Sequence, residues 1–309
     1  MGKKIINNHC YVCKGDMRFL MKGIDINYTA TGKSFDICRC KKCGLEQIYP
    51  LLSQEKLLEY YPKNYYSYDT KEKQGYMERI IYRTLDDIIN KKISFFSLVF
   101  KNRIGKFPLK KKPEGNYLDI GCGAGKHLKI IEKYGWNSYG FEIGVKNKIE
   151  KIIYNTHIKY VDRGNKKFDF ISLWAVFEHL LDPIGYIETI KKILKNSGEL
   201  HIFVPNNNSV YAKIFGPYRF NRDIPRHIFN YNPTALKILF TQQGFKIKEI
   251  NHLSAGGFFT SLYQYLKCKF GLNIGFLNNI GLHIVFYPID WIINKLGFGD
   301  NIHLTIKIK

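Results

Sequence analysis

A single stretch of eleven residues, LDIGCGAGKHL at 118–128, constrains the fold more than any other part of the chain. A short apolar run ends at Ile120, and three glycines follow at alternating positions, Gly121, Gly123 and Gly125. Glycines in this arrangement let the backbone turn tightly and come close to a ligand that a β-carbon would exclude. A helix-competent stretch follows directly. The sequence therefore predicts a strand, a glycine turn and a helix, the opening of a nucleotide-binding unit.

A carboxylate follows the turn at a distance that fits the same kind of site. The next apolar run, WNSYGFE, ends in Glu142, 21 positions after Gly121. In nucleotide-binding units an acidic residue about 20 positions after the first turn binds the ribose hydroxyls. Dinucleotide-binding folds place a third glycine where this chain has Lys126, so the pattern argues against a dinucleotide.

With Asp119 just ahead of the first glycine, the spacing resembles motif I of the class I methyltransferases that depend on S-adenosylmethionine (SAM). The resemblance implies an α/β fold: a Rossmann-like sheet with helices on both faces and SAM lying across the strand ends. It also implies that Asp119 and the glycine turn hold the methionine end of SAM, while Glu142 binds the ribose hydroxyls.

Four cysteines near the N-terminus form two C-x-x-C pairs with 26 residues between them: Cys10 and Cys13, then Cys40 and Cys43. Each pair can form a tight knuckle that directs two sulfurs at one metal ion, and two knuckles complete a tetrahedral site. A closed four-thiolate site is structural because it leaves no coordination position for a substrate. The sequence therefore predicts a zinc ribbon that holds one structural zinc ion.

The ribbon, the segment LEYYPKNYYSY at 58–68 and the glycine turn together resemble the zinc-ribbon branch of the SAM-dependent methyltransferases. That branch occurs widely in bacterial surface-polysaccharide and sugar-modification pathways and includes deoxysugar C-methyltransferases. The resemblance covers residues 9–250 most securely. Three parts are expected: a zinc ribbon at 1–50, a helical linker or cap at 51–112, and a SAM-binding domain at 113–309.

Hydrophobic periodicity places further elements along the chain. Helices are expected from Ser53 to about Tyr60, over 76–92 and over 146–155, and a short strand is expected at 158–161. Strands and helices continue to alternate after this point, as they do in doubly wound α/β domains.

Residues after the fourth predicted strand are candidates for the acceptor side of the site. The strand FDFISLW has its carboxyl end at Trp174 and is followed by a turn that carries Glu178 and His179. Ligands of open α/β sheets lie outside the carboxyl ends of the strands. Trp174 is therefore a candidate cofactor contact, and the other two are candidates for catalysis. Members of the resembling family usually carry a histidine where this chain has Ala175. A capped turn with a purely structural role is the alternative for Glu178 and His179.

The long connection after the fifth predicted strand contains the sequence Pro225, Arg226, His227. The resembling family carries a Pro-x-His element here, and the resemblance places it at the acceptor pocket. An imidazole can take a proton near neutral pH, so His227 is the first candidate for the general base. His179 and Glu178 compete for this role. The alternative is that His227 only packs or caps the next helix.

Composition limits the partners and the compartment. The chain has 309 residues and a formal net charge of +22, mostly from lysine spread along the sequence. The charge leaves nucleic acid open as a partner, although no dedicated RNA-binding motif accompanies it, and an anionic lipid or a phosphorylated acceptor also fits. The N-terminus lacks the apolar core of a secretory signal, which predicts a cytoplasmic protein whose cysteines are ligands or free thiols.

The hydrophobic and aromatic segment at 251–299 predicts a helical insert before a final strand. Twenty consecutive residues, 270–289, carry no formal charge, yet asparagines, glycines and Pro288 within them argue against a membrane span. Two helices fit the segment better. They either pack on the core or on another subunit, or lie at a membrane surface, where flanking lysines and aromatic residues would suit the interface.

The sequence thus predicts a methyltransferase with two cofactors, SAM and a structural zinc ion. The favoured acceptor is a hydroxyl or carbon of a sugar, another small molecule or a glycoconjugate in a surface-polysaccharide or related pathway. Three alternatives stay open: an RNA methyltransferase, a quinone or lipid-headgroup methyltransferase, and a SAM-binding protein without activity. Contact with the inner face of the membrane through 251–299 also stays open, and the oligomeric state is not indicated.

Overall fold

The computed structural model describes residues 9–26, 33–61, 83, 84, 86, 87, 90, 92, 94, 114–143, 152–154, 158–254, 256–272 and 280–309. Most of the two helices expected at 76–92 and 146–155 lies outside the described residues. The expected helix after Ser53 is confirmed, because the Ser53 hydroxyl accepts a hydrogen bond from the Lys56 amide and caps Gln54–Leu58.

Two sheets organise the described part of the chain. Their strands, in chain order, are β1 (Met17–Ile24), β2 (Ser34–Cys40), β3 (Glu46–Tyr49), β4 (Gly115–Ile120), β5 (Trp136–Glu142), β6 (Ile152–Tyr154), β7 (Phe168–Trp174), β8 (Leu194–Pro205), β9 (Phe229–Asn230), β10 (Phe245–Leu253) and β11 (Asn301–Ile308). The α-helices among these residues are α1 (Gln54–Leu58), α2 (Lys126–Glu132), α3 (Pro183–Ile193), α4 (Val210–Phe215), α5 (Pro233–Gln242), α6 (Gly257–Phe270) and α7 (Ile280–Lys295).

The larger sheet has seven strands in the order β10-β11-β8-β7-β4-β5-β6. Strand β4 pairs in parallel with both β5 and β7, so the carboxyl ends of these three strands meet at one edge of the sheet. Strand β11 runs antiparallel between β8 and β10. The predicted α/β fold with a Rossmann-like sheet is confirmed, and the edge where ligands lie in such sheets contains the glycine turn.

The two faces of this sheet differ in chemistry because side chains alternate along each strand. One face is aliphatic, with Leu118, Ile171 and Ile202 fully buried beneath α3 and α5. The opposite face, where α2 packs, carries polar and aromatic side chains that include Tyr117 and Phe170. Helices thus cover both faces, and the buried polar side chains of the described strands in this sheet lie on the second face.

The smaller sheet joins the N-terminal region to a distant part of the chain. Strands β1, β2 and β3 form an antiparallel meander, and β9 adds to its edge. In this last pairing Glu46 lies opposite Asn230, and Gln47 lies opposite Phe229. The sheet that carries the cysteine knuckles is therefore completed by residues that follow the candidate base His227.

Two sequence-based expectations in the middle of the chain are wrong. Residues 158–161 form the start of a 3-10 helix, Ile158–Gly164, and not a strand. Ile158 and Val161 are both buried, and a spacing of three residues places them on one side of a 3-10 helix. The end of the expected helix at 146–155 is instead β6, because Ile152 and its neighbours pair with the carboxyl end of β5.

The C-terminal insert forms two helices before the last strand, as expected. Helix α6 packs against α7, and β11 then returns into the main sheet beside β8. No helix in the described ranges is long and apolar enough to cross a membrane.

Candidate functional site

The glycine turn follows β4 at the carboxyl edge of the sheet. Gly121, Gly123 and Gly125 have φ angles of 76°, 55° and 70°, in the left-handed region that glycine adopts without strain. A β-carbon on Gly121 would lie 2.3 Å from Cγ2 of Val176, so no larger residue fits unless Val176 moves. The turn is fixed to β5 because the Gly121 amide donates to the Phe141 carbonyl at 2.7 Å.

Glu142 lies beside the turn, as its position in the sequence predicts. The Gly123 amide donates to Oε2 at 2.6 Å, and the Ile143 amide donates to Oε1 at 2.8 Å. Burial raises the pKa of this carboxyl, while the two amides oppose the shift. Each carboxylate oxygen has a second lone pair, so Glu142 can hold the turn and still accept hydrogen bonds from ribose hydroxyls.

Asp119 is buried at the end of β4, and its neighbours on the sheet stabilise it. Ser172 lies opposite Asp119 on β7 and donates from Oγ to Oδ1 at 2.7 Å. Since the Ser172 proton is used in this way, the Tyr117 hydroxyl, 2.8 Å from the same Oγ, is the donor in the second bond. Burial raises the pKa of Asp119 to about 7, with the nearby charge of Glu142 adding to the shift.

Trp174 lies on the polar face of the sheet, as Asp119 does. Its ring packs toward β8 and β11, away from the glycine turn after β4. The indole stacks on His303 of β11, with ring centroids 5.4 Å apart, and also contacts Phe203 of β8. The His303 ring is in turn 3.0 Å from His201, between Nε2 and Nδ1. Trp174 thus belongs to an aromatic row under the strand ends. Its predicted contact with a cofactor stays a prediction.

Glu178, His179 and His227 come together at the carboxyl end of β7. Glu178 Oε1 lies 3.8 Å from Nε2 of His227, and the two imidazole centroids are 4.6 Å apart at 83°. One ring nitrogen from each histidine and one carboxyl oxygen of Glu178 all lie within 4.8 Å of one another. The three candidate catalytic residues therefore form one cluster, although His179 and His227 are 48 positions apart in the sequence.

Hydrogen bonds orient both imidazoles of this cluster. His227 Nδ1 is 3.0 Å from the Asn221 carbonyl, which can only accept, so Nδ1 carries the proton and Nε2 offers a lone pair toward Glu178. His179 Nδ1 lies 2.9 Å from the Tyr61 hydroxyl. Tyr61 belongs to the segment LEYYPKNYYSY at 58–68, so this bond brings that segment to the cluster.

Burial keeps the cluster uncharged at neutral pH. It lowers the pKa of His227 to about 4 and that of His179 to about 3, and it raises the pKa of Glu178 to about 8. Glu178 is only 1% exposed, and neither carboxyl oxygen has a hydrogen-bond partner among the described residues. A buried polar group without a partner is costly, and such groups occur preferentially at functional sites.

Ala175, between β7 and this turn, has a φ of 53°. Left-handed backbone at a non-glycine residue is uncommon and costs about 1–3 kcal/mol when it is held by its surroundings. This backbone conformation directs the residues that follow: Val176 packs against Gly121, and Glu178 lies in the cluster. The two halves of the site thus meet at this turn.

The four predicted zinc ligands form a second, separate cluster. The Sγ atoms of Cys10 and Cys43 are 3.5 Å apart, those of Cys13 and Cys40 are 3.4 Å apart, and all four lie within 4.8 Å of one another. Zinc–sulfur bonds of about 2.3 Å in a tetrahedron require sulfurs about 3.8 Å apart, close to these values. The four thiols therefore fit one structural zinc ion.

Backbone geometry prepares each knuckle for the metal. The amides of Cys10 and Cys40 donate to the carbonyls of Gly15 and Leu45, which closes each C-x-x-C loop in the same way. A hydrogen bond from Cys43 lowers the pKa of the Cys10 thiol, which favours the thiolate form that binds zinc. The remaining N-terminal cysteine, Cys38, is buried outside the cluster.

Several residues that shape the site carry no local sequence signal. Arg222 and Arg226 are buried and reach carboxylates of the N-terminal region, Glu46 and Asp25. These partners are separated from the arginines by 176 and 201 positions. Ser172 could have been identified as a site residue from the sequence. It is the single polar residue among the last four of strand β7, Ile171 to Trp174.

Comparison with known proteins identifies relatives of the sheet-forming part of the chain. The model of a protein family described as a methyltransferase domain matches residues 91–250, slightly more than half of the chain. A mitochondrial ubiquinone biosynthesis O-methyltransferase of Dictyostelium discoideum is 21% identical over 220 residues, or 62% of this chain and 65% of that protein. An uncharacterized protein of Methanocaldococcus jannaschii is 31% identical over 157 residues, or 48% and 51%.

The chain thus spans between half and two thirds of the length of these two curated relatives. A ubiquinone biosynthesis O-methyltransferase of Coxiella burnetii is 24% identical over 174 residues, 50% of this chain and 70% of that protein. Among solved structures, a SAM-dependent methyltransferase from Archaeoglobus fulgidus is 19% identical, with a TM-score of 0.45, over 74% of this chain and all of that one.

Proposed function

Because the chain belongs to the methyltransferase domain family, we propose that it transfers the methyl group of SAM to an acceptor molecule. The observation that carries the proposal is the glycine turn, held by the Glu142 carboxylate at the ends of β4 and β5. A β-carbon at Gly121 would collide with Val176, so the turn needs glycine there, and Glu142 retains lone pairs for ribose hydroxyls. The residues present therefore fit SAM.

When bound, SAM supplies an electrophilic methyl group on a sulfonium centre. The chain's contribution is to position the acceptor in line with that methyl group and to remove a proton from it. His227 is suited to the second task, because Nδ1 is fixed by the Asn221 carbonyl and Nε2 has a free lone pair. The Glu178 carboxyl, which burial keeps neutral, lies 3.8 Å from Nε2 and can accept a hydrogen bond from the imidazolium that forms.

We propose that the acceptor is a sugar or glycoconjugate, methylated on a hydroxyl or a carbon. The resemblance of the ribbon and the segment at 58–68 to sugar-modifying enzymes supports this class. In addition, the Tyr61 hydroxyl lies at the cluster and offers a hydrogen-bonding group of the kind that polyhydroxylated ligands require.

A quinone-type phenol is the second candidate acceptor. Two relatives from different organisms are named as ubiquinone biosynthesis O-methyltransferases, which favours transfer to oxygen. A phenol loses its proton more readily than a sugar hydroxyl and depends less on a strong base. Substitution of His227 should therefore affect the two reactions to different degrees.

The test begins with the cofactor and then compares acceptors. Calorimetry should show that the purified protein binds SAM and its demethylated product. Turnover of labelled SAM is then measured with nucleotide sugars, polyphenols related to quinones, and structured RNA. Well-folded protein that binds no SAM would disprove the proposal. Binding without turnover on any acceptor would identify a SAM-binding protein without activity, and activity on RNA with steep salt dependence would identify an RNA methyltransferase.

A further inference from the structure

We propose that the zinc ribbon serves as the brace that positions His227, so that zinc controls the acceptor side of the site and not the SAM side. The proposal rests on the proposed function for the role of His227. It concerns four positioning residues that do not touch a substrate: Asp25 and Glu46 of the ribbon, and Arg222 and Arg226 of the connection that carries His227.

Arg226, the residue directly before His227, is the first element of the brace. Its guanidinium donates two hydrogen bonds to Asp25, from Nη2 to Oδ1 at 2.7 Å and from Nη1 to Oδ2 at 3.0 Å. It also donates to Asp223 and to the Tyr60 carbonyl. Both Arg226 and Asp25 are buried, and a two-point pair of this kind fixes orientation as well as distance.

Arg222 and Glu46 form the second element. Arg222 Nη1 donates to Glu46 Oε2 at 2.6 Å, and the other oxygen of Glu46 accepts from Arg39 on β2. The pair is almost completely buried, so loss of one partner would leave a charge without compensation. Arg222 and Arg226 are four positions apart. The connection is thus attached to the ribbon at two points on either side of its Pro225 turn.

Two side-chain amides from the chain after β8 bond to carbonyls of the metal knuckle itself. The Asn232 side chain donates to the Cys43 carbonyl at 3.1 Å, and the Asn207 side chain donates to the Gly44 carbonyl at 3.0 Å. Strand β9, which begins two residues after His227, pairs with β3. The fold of the knuckle depends on its metal, since such small modules lack a sufficient core of their own.

The SAM cradle has a different support. The glycine turn is held by hydrogen bonds to Phe141 and Glu142 on the neighbouring strand β5, within the main sheet. Among the described residues, the hydrogen bonds of Gly121, Gly123 and Glu142 stay within the main sheet and the turns that follow β4 and β5. Loosening the ribbon should therefore affect His227 and leave the cradle intact.

Hydrogen exchange of the full-length protein, with and without removal of zinc by EDTA, tests this inference. We expect amides at 222–232 to exchange about tenfold faster or more after zinc removal, and amides at 115–143 to keep their protection. The His227 ring resonances should shift, and SAM affinity should stay within about twofold. Added zinc should restore the slow exchange at 222–232 and the original His227 resonances. Unchanged exchange at 222–232, or equal loss at 115–143, would overturn the proposal.

Variants test the brace with zinc bound. Asp25→Asn should accelerate exchange at 222–232, and Asp25→Glu should restore much of the protection because it returns the charge. Asp16→Asn is the matched control, since Asp16 is an exposed ribbon carboxylate 3.9 Å from Lys41. An Asp25→Asn protein that resembles the control would overturn the proposal. A protein with this exchange pattern but no affinity for SAM would refute the proposed function alone.

A separate observation concerns the outer surface of α7, and from it we infer that α7 lies on an anionic membrane surface. Three apolar side chains of the helix and a fourth directly after its last residue, at spacings of four, three and four residues, form an exposed stripe. They are Val285, Ile289, Ile292 and Leu296, with exposed fractions of 68%, 37%, 51% and 65%. Trp291, Phe298 and Phe270 are further exposed apolar residues of the same insert, which therefore carries more of them than ordinary surfaces do.

The opposite side of α7 is anchored in the protein by a carboxylate. Asp290 is fully buried and accepts hydrogen bonds from the Tyr211 hydroxyl and from the amides of Gly256 and Phe258. These bonds fix the rotation of the helix, so its apolar stripe is held outward. Such an orientation suits an interfacial helix and not a helix packed on its own core.

Charge selects the occupant of this surface. Asp290 is the single acidic residue in 257–299, and it is buried, while Lys267, Lys269 and Lys295 lie in the same insert and are exposed. A two-fold contact between copies of the chain would bring these lysines toward their own counterparts. Anionic lipid complements them, and Trp291 beside Lys295, 5.9 Å from ring centroid to Nζ, is typical of an interfacial position.

Vesicle flotation tests the membrane inference. We expect the full-length protein to float with phosphatidylglycerol vesicles and not with phosphatidylcholine vesicles. Combined Val285→Ser, Ile292→Ser and Leu296→Ser substitutions should reduce binding about tenfold or more. Leu58→Ser, at a leucine on α1 that is 46% exposed, is the control and should have no effect. Unaltered flotation of the triple variant, no flotation of the parent, or a dimer that dissociates in the triple variant would overturn the inference.

Discussion

Substitution of Gly121 by alanine should destabilise the protein through two effects that can be separated. The first is left-handed backbone, since φ is 76°, which costs about 1–2 kcal/mol for an L-residue with a β-carbon. The second is steric, since the new β-carbon would lie 2.3 Å and 2.9 Å from the two γ-carbons of Val176. Overpacking of this kind costs about 1–3 kcal/mol, so we expect a total of about 2–5 kcal/mol.

A double-mutant cycle with Val176→Ala isolates the steric part. That substitution removes both γ-carbons and leaves only the Val176 β-carbon, 3.2 Å from the new methyl group. The double variant should therefore regain about 1–3 kcal/mol relative to the sum of the single variants. Gly271→Ala is the matched control for backbone strain, because Gly271 has a φ of 68° and no atom within 4 Å of the added carbon.

Urea unfolding monitored by circular dichroism gives the free energies, and calorimetry on each variant gives SAM affinity. The Gly121→Ala protein should bind SAM more weakly, and the double variant should recover part of that loss. Coupling below about 0.5 kcal/mol would refute the contact between the glycine turn and the acceptor-side turn. A Gly271→Ala protein as unstable as Gly121→Ala would show that backbone strain alone explains the cost.

Four further predictions concern single sites. Glu142→Ala should weaken SAM binding by about 1–3 kcal/mol, measured by calorimetry, because it removes hydrogen bonds to a charged group; unchanged affinity would exclude Glu142 from the cofactor site. Elemental analysis should find one zinc per chain, and Cys43→Ser should lower that content; protein purified without chelator that contains no zinc would contradict the ligand assignment. His227→Gln should reduce turnover about 10²–10⁴-fold with SAM affinity and melting temperature nearly unchanged, whereas full activity would transfer the role to His179 and Glu178. Burial raises the pKa of Asp119 from 3.8 to about 7, so the folded state binds more protons than the unfolded state between these values. Stability should therefore fall as pH rises from about 4 to about 7, by up to about 1.4 kcal/mol per pH unit, and Asp119→Asn should flatten this slope in urea unfolding.

Local spacing was sufficient to predict the parts of this protein that depend on backbone geometry. Alternating glycines permit left-handed backbone at each position, and all three have positive φ. A C-x-x-C pair likewise specifies a knuckle, so the four cysteines converge although 26 residues separate the pairs. Both patterns determine conformation within a few residues, and for this reason the sequence was informative there.

Short apolar segments were less informative because their pattern is compatible with several conformations. IKYV at 158–161 fits a strand, yet tertiary packing buries Ile158 and Val161 on one side of a 3-10 helix. Ile152 and its neighbours fit the end of a helix, yet they pair with the edge of β5 and form a strand. Burial against the rest of the chain decided between conformations of similar intrinsic free energy.

The electrostatic character of the candidate site is a property of the tertiary structure alone. The sequence placed Glu178, His179 and His227 among the candidates, but only their burial in a common cluster removes their charges at neutral pH. The Arg226–Asp25 pair joins residues 201 positions apart. Desolvation and charge pairing depend on what surrounds a side chain in space, and a sequence records only what precedes and follows it.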